Sequence, residues 1–120
     1  MLLDVAAEAW SLARGFDHEV SMLSLVRGGR AAPLLALAVG SPDSVRADPR
    51  LLFRLGLSDT AEAVVLAHNH IDDVPPSAAD LAVTRRLVAA GAVVGLPLLG
   101  HVVVTRSGWY DCVAGSFVAW

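Results

Sequence analysis

The chain begins with apolar residues recurring every three or four positions. Leu3, Ala6, Ala7, Trp10 and Ala13 share a stripe, which predicts a helix over 2–14 with Gly15 as its stop. The stretch "EVSMLSLV" (19–26) alternates loosely and predicts a strand. "RGGR" (27–30) is a turn, and "APLLALAV" (32–39) predicts the returning strand of a hairpin. "SPDSVRAD" (41–48) is a loop; Pro49 then suits a helix start, with Leu51, Leu52 and Leu55 at helical spacing. "AVVLAH" (63–68) is short and continuously apolar, as in a strand buried on both faces. After the loop "IDDVPP", the stretch "SAADLAVTRRLVAAG" (77–91) predicts an amphipathic helix. Leu81, Thr84, Leu87 and Val88 lie on one face of it, and Arg85 and Arg86 are read as solvated. "VGLPLL" and "HVVVT" predict two further strands, and "WYDCVA" a final edge strand. This order of elements predicts a mixed α/β sheet flanked by helices.

Composition adjusts that picture in a few places. At 120 residues the chain reads as one domain, long enough to bury a core without disulfides, and its single cysteine, Cys112, excludes an internal one. Apolar residues make up 55% and charged residues 18%, which excludes a disordered class. The net charge of −3 advertises no attraction to nucleic acid or anionic lipid. All nine basic residues are arginine; a GC-rich genome, which also favours alanine and glycine, is the simpler explanation. "LVAAGAVVGLPLLGHVVV" is apolar enough to raise a membrane span, but its three glycines, Pro97 and His101 break it into a helix end and two short strands. The start "MLLDVAAEAW" has no basic residue and is a poor signal peptide, so a cytoplasmic location is expected.

Candidate chemistry concentrates in "LAHNHIDDVPPSAAD" (66–80). Residues i and i+2 of a strand point to one face about 6–7 Å apart, so His68 and His70 can converge on one ion. Taken alone, such a pair is more often a polar exit from the core. Ser77 and Asp80 have the spacing of a capping box, which by itself explains both. A carboxylate in that first turn can also reach back to the strand end, and two histidines with one carboxylate form a usual catalytic zinc set. A hydrolytic site also wants a base, and Glu19 is the other candidate acid. On local grounds Glu19 reads as an exposed strand-end residue, Asp72 and Asp73 as solvated loop acids, His18 as a surface residue and His101 as a core histidine.

Together these residues resemble the JAB1/MPN/Mov34 (JAMM) metalloenzyme superfamily, and its RadC-like branch most of all. The motif is an upstream glutamate, His-x-His, a loop and Ser-x-x-Asp, here Glu19, "HNH" (68–70) and "SAAD" (77–80). Pro49-Arg50, Asn69, Thr84 and "LLGHVVV" (98–104) extend the likeness over roughly residues 16–115. Three positions depart from it. Ile71 stands where proline is usual, the loop between His70 and Ser77 is one residue short, and Gly100 replaces an aspartate before His101. The first two alter the loop that carries Asp80.

The resemblance implies a cytidine-deaminase-like JAB/MPN fold, zinc held by His68, His70 and Asp80, Glu19 as general base, and Ser77 as oxyanion donor. It further implies a metallopeptidase or isopeptidase whose partner is a protein or peptide, a ubiquitin-like conjugate among them. Nucleic acid and membrane are not expected as partners, and a homodimer is compatible. The helix-hairpin-helix region usual before RadC-type domains is not expected here. Two other functions compete: a RadC-like repair accessory or metallonuclease, and a non-catalytic interaction module that keeps only the fold.

Overall fold

The computed structural model describes residues 1–120. Its central strand, β4 (Ala63–Asn69), is the one with no polar face to turn outward, and all seven residues are buried. β1 (Val20–Arg27) pairs with it antiparallel and β5 (Leu98–Val104) parallel. Beyond β5 the antiparallel strands β6 (Gly108–Asp111) and β7 (Ser116–Ala119) continue the sheet. The far side of β1 is shared by β2 (Arg30–Ala31) and β3 (Leu35–Val39). The expected mixed sheet flanked by helices is therefore what forms.

Strand alternation sorts the core into two layers. On one face α1 (Leu2–Ala13) lays Val5, Ala6, Ala9 and Ala13 against the layer of Val65, Ala67, Val102 and Val104. On the other, Leu52 of α2 (Pro49–Ser58) and Leu87 of α3 (Ala78–Val94) cover Leu23, Val64, Leu66 and Leu98. α2 begins with Pro49 in its first turn, and the Asp48 side chain accepts from Arg50 N. Ser77 caps α3, and Gly95 ends it in the left-handed conformation at φ 78°. No helix is long and apolar enough to cross a membrane.

The structure corrects the sequence reading at five places. Of the expected α1 stripe, Ala6 and Ala13 are buried and Trp10 packs against the core, but Val5 and Ala9 take the places of Leu3 and Ala7, which are exposed. Both sets are apolar, so spacing alone does not choose between them. In α3, Thr84, Leu87 and Gly91 are buried while Leu81 and Val88 stay exposed. That helix runs through Gly91, where a Cβ would meet the Leu96 carbonyl oxygen at 2.4 Å. The glycine lets the chain leaving the helix fold back across it. "APLLALAV" starts its strand only at Leu35 as β3, and the expected turn "RGGR" gives up Arg30 to the separate short strand β2. "VGLPLL" and "HVVVT" merge into the single strand β5, in which Leu98 and Gly100 oppose the successive residues Val64 and Val65. The glycine thus marks a bulge rather than a break. Finally, "WYDCVA" yields β6, which is not the edge; the chain turns at Cys112–Gly115 and β7 takes that place.

Candidate metal centre

The antiparallel register of β1 and β4 pairs Ser21 with His68. Continued by two residues it sets Glu19 against His70, so positions 49 and 51 apart in sequence meet at one sheet end. Glu19 is 4% exposed, which overturns its reading as a solvated strand end. Its amide donates to the Ser41 carbonyl (2.8 Å), and its own carbonyl accepts from Gly40 N (2.7 Å). Asn69, between the two histidines, points to the opposite face and holds the start of β1. Its Oδ1 accepts from Val20 N (2.7 Å) and its Nδ2 donates to the His18 carbonyl (3.2 Å). Asn69→Ala would strand a buried amide at a cost of about 1–3 kcal/mol, and chemical denaturation is expected to show a loss of that size.

The imidazoles of His68 and His70 turn their Nε2 atoms toward each other, 3.2 Å apart. Asp80 faces both: Oδ1 lies 3.4 Å from His68 Nε2, and Oδ2 lies 3.2 Å from His70 Nε2. The short loop is therefore long enough to bring Asp80 to the histidines. It does more, since the His70 Nδ1–H donates to the Val74 carbonyl within that loop (3.0 Å). The capping box forms at the same time: Ser77 Oγ accepts from Asp80 N (3.0 Å) and Asp80 Oδ2 accepts from Ser77 N (2.8 Å). One carboxylate thus caps the helix and lines the cluster. Ser77 itself is exposed at the mouth.

Behind the pair stands His101, buried on β5. Its Nε2 lies 3.0 Å from His68 Nδ1 and its Nδ1 lies 2.6 Å from Thr84 Oγ1, whose hydroxyl donates to the Asp80 carbonyl (2.8 Å). The expectation of a core histidine caught its burial and missed this contact, which HxH spacing does not signal. Gly100 faces the other way, where an added Cβ would meet Leu2 of α1 at 2.7 Å. A carboxylate at that position would point away from the histidines. Asp72 and Asp73 are exposed, as are Arg85 and Arg86, and Asp73 binds Ser107 rather than the cluster. His18 is half-buried and contacts Asp17.

Electrostatics follow from this packing. Burial raises the Glu19 carboxyl, against the pull of His68 and His70. Burial would also raise Asp80, but the close approach of His68 and His70 and the hydrogen bond from Ser77 N outweigh it and hold it well below the usual carboxylate range. For His70, burial is outweighed by the Asp80 hydrogen bond, the Val74 carbonyl and Glu19, so its pKa rises. Burial pushes His101 down to about 3, keeping it neutral, and the Cys112 thiol up to about 12, so Cys112 stays a thiol rather than a thiolate at neutral pH.

The sign of the pH dependence in chelated protein follows. His70, raised above 6.5, gives stability fully present below that value and lost as pH rises through its folded value. Glu19, raised above 4.5, acts in the same direction. Asp80, depressed from 3.8, gives stability present above that value and lost only in strong acid. Thermal melts in chelator are expected to show Tm falling from mildly acidic to alkaline pH.

The donor chemistry fits a metal ion. Glu19, His68 and His70 each offer a ligand atom within 4.8 Å of the others. Donors about 2.0–2.2 Å from a tetrahedral ion lie about 3.3–3.6 Å from one another. The three separations among His68, His70 and Asp80, at 3.2–3.4 Å, are close to that edge. The cavity touching His68, Asp80 and His101 holds only about 20 Å³, so there is no ligand-sized enclosed pocket against these buried side chains.

Fold and site together define a class: a helix-flanked mixed α/β domain with a carboxylate–histidine cluster at one end of its central strands. Within that class, the sequence matches the RadC-like JAB domain family over residues 4–115, and the chain belongs to that family. A UPF0758 protein of Moorella thermoacetica is 44% identical over 103 residues, covering 84% of this chain and 45% of that protein. One from Syntrophomonas wolfei is 33% identical over 107 residues, covering 88% and 46%. One from Chlorobium phaeovibrioides is 37% identical over 76 residues, covering 62% and 34%. The chain thus spans between a third and a half of the length of these curated relatives.

Proposed function

We propose that this chain is a zinc-dependent hydrolase of peptide or isopeptide bonds. The observation that carries the reading is the convergence of His68 Nε2, His70 Nε2 and the Asp80 carboxylate at 3.2–3.4 Å, with Glu19 buried beside them. Two histidines and a carboxylate suit zinc and leave a fourth position open. A zinc ion held there would supply Lewis acidity and bring the pKa of an adjacent water toward about 7. Glu19, with its pKa raised by burial, is better suited than an exposed carboxylate to take a proton and return it to the leaving amine. Ser77 Oγ accepts from Asp80 N, which leaves its own O–H free to donate to a developing oxyanion.

A cavity of about 20 Å³ leaves no room for an enclosed small molecule, which favours an extended chain lying across the cluster as substrate. β3, joined to Glu19 through Gly40 and Ser41, offers an outer edge along which a peptide can add as a strand. Phosphodiester substrates are disfavoured by the net charge of −3 and by the lack of a run of basic residues in the sequence. The test is zinc stoichiometry together with cleavage of a peptide and isopeptide substrate panel. The reading predicts one zinc per chain and amide cleavage abolished by chelator. Zinc binding with cleavage of single-stranded DNA alone would favour a nuclease, and no metal at all an interaction module.

A further inference from the structure

The geometry points to a positioning role for His101 and Thr84: together they hold the His68 proton on Nδ1 and leave its Nε2 lone pair facing the cluster. The inference rests on the metal-site reading above, and deepens it. Each ring nitrogen of a histidine is set by the hydrogen bond its other nitrogen makes. His70 is fixed simply, because its Nδ1 partner is the Val74 carbonyl, which can only accept. His68 has no such partner. Its Nδ1 faces another imidazole, His101 Nε2, which can either donate or accept.

The ambiguity is resolved one step further out. Thr84 Oγ1 lies 2.8 Å from the Asp80 carbonyl, a pure acceptor that takes the hydroxyl proton. Thr84 Oγ1 then accepts from His101 Nδ1–H at 2.6 Å. His101 is 2% exposed, and its two ring nitrogens already face Thr84 Oγ1 and His68 Nδ1. With its proton on Nδ1, its Nε2 accepts from His68 Nδ1–H at 3.0 Å. Each link of this chain has one direction, and it ends on the backbone of Asp80, whose carboxylate faces His68 Nε2 at 3.4 Å and competes for the same proton. Asp80 therefore anchors both sides of the His68 ring. If Thr84 were to lose its hydroxyl, nothing would fix His101. Its other tautomer would donate to His68 Nδ1 and place the His68 proton on Nε2, where an ion must displace it.

The experiment has two arms. In metal-free 15N-labelled protein, long-range 1H–15N spectra of the neutral ring are expected to show the His68 proton on Nδ1. A proton on Nε2 would overturn the proposal, whether or not the protein binds zinc. In direct titrations with zinc, Thr84→Val is expected to weaken affinity about 10–100-fold, the usual effect of a residue that orients a ligand. Thr84→Ser, which keeps the hydroxyl, should restore most of it. Thr84→Val binding zinc as tightly as the parent would also overturn the proposal while leaving the metal site intact. A parent that binds no zinc would instead sink the metal-site reading, and the spectra would still decide the tautomer.

Discussion

Glu19→Gln is expected to lower amide hydrolysis about 10²–10⁴-fold with no change in zinc stoichiometry, the range lost when a general base is removed. The substitution keeps shape and removes the charge. Two roles are open to a carboxylate within 4.8 Å of both histidines, ligand or base, and the variant separates them. The geometry favours the base. Asp80 makes the closer approaches to the two Nε2 atoms, and it stays ionised well into acid, as a ligand must. Glu19 is buried with its proton affinity raised, which suits a group that must take a proton and give it back. Elemental analysis with kinetics on one preparation checks this. Loss of metal with loss of activity would make Glu19 a ligand, and unchanged turnover would remove it from the mechanism.

The other large effect is expected at Asp80. Asp80→Ala should weaken zinc binding at least 100-fold, beyond the about 10–100-fold typical of residues that only support a ligand. It should also cost about 1 kcal/mol through the broken capping box. Ser77→Ala breaks the same box from the other side, so the pair of variants separates capping from ligation. Asp80→Ala should lower stability more, because it also loses the contacts with His68 and His70, and only it should lose the metal. Ser77→Ala is expected to keep its zinc and lose turnover. Equal zinc affinity in the two variants would return "SAAD" to a purely structural role.

Much of this centre is legible in the sequence, and the illegible part has a common cause. His68 and His70 stand out because period-two spacing follows an apolar run. Asp80 stands out because a capping motif opens the next helix. Glu19 does not stand out locally; only its distance from the motif, given by the resemblance, singled it out. Its burial depends on the β1–β4 register, which neither strand shows alone. His101 was hidden for the same reason. A histidine in an apolar strand looks alike whether it meets solvent, backbone or another imidazole, and that is decided by the parallel pairing of β4 with β5. At the level of elements, existence was easier to read than faces. In α1 the buried face is turned slightly from the expected stripe, so Val5 and Ala9 are covered in place of Leu3 and Ala7. β7 went unread because its residues are exposed and it exists only as a partner of β6.

The central claim is that His68, His70 and Asp80 hold one metal ion beside Glu19. Anomalous diffraction at the zinc edge, from crystals grown with zinc, tests it most directly. One peak about 2.0–2.2 Å from His68 Nε2, His70 Nε2 and an Asp80 oxygen is the predicted result. Zinc-saturated crystals with no peak there, or with a peak held by Glu19 in place of Asp80, would contradict it.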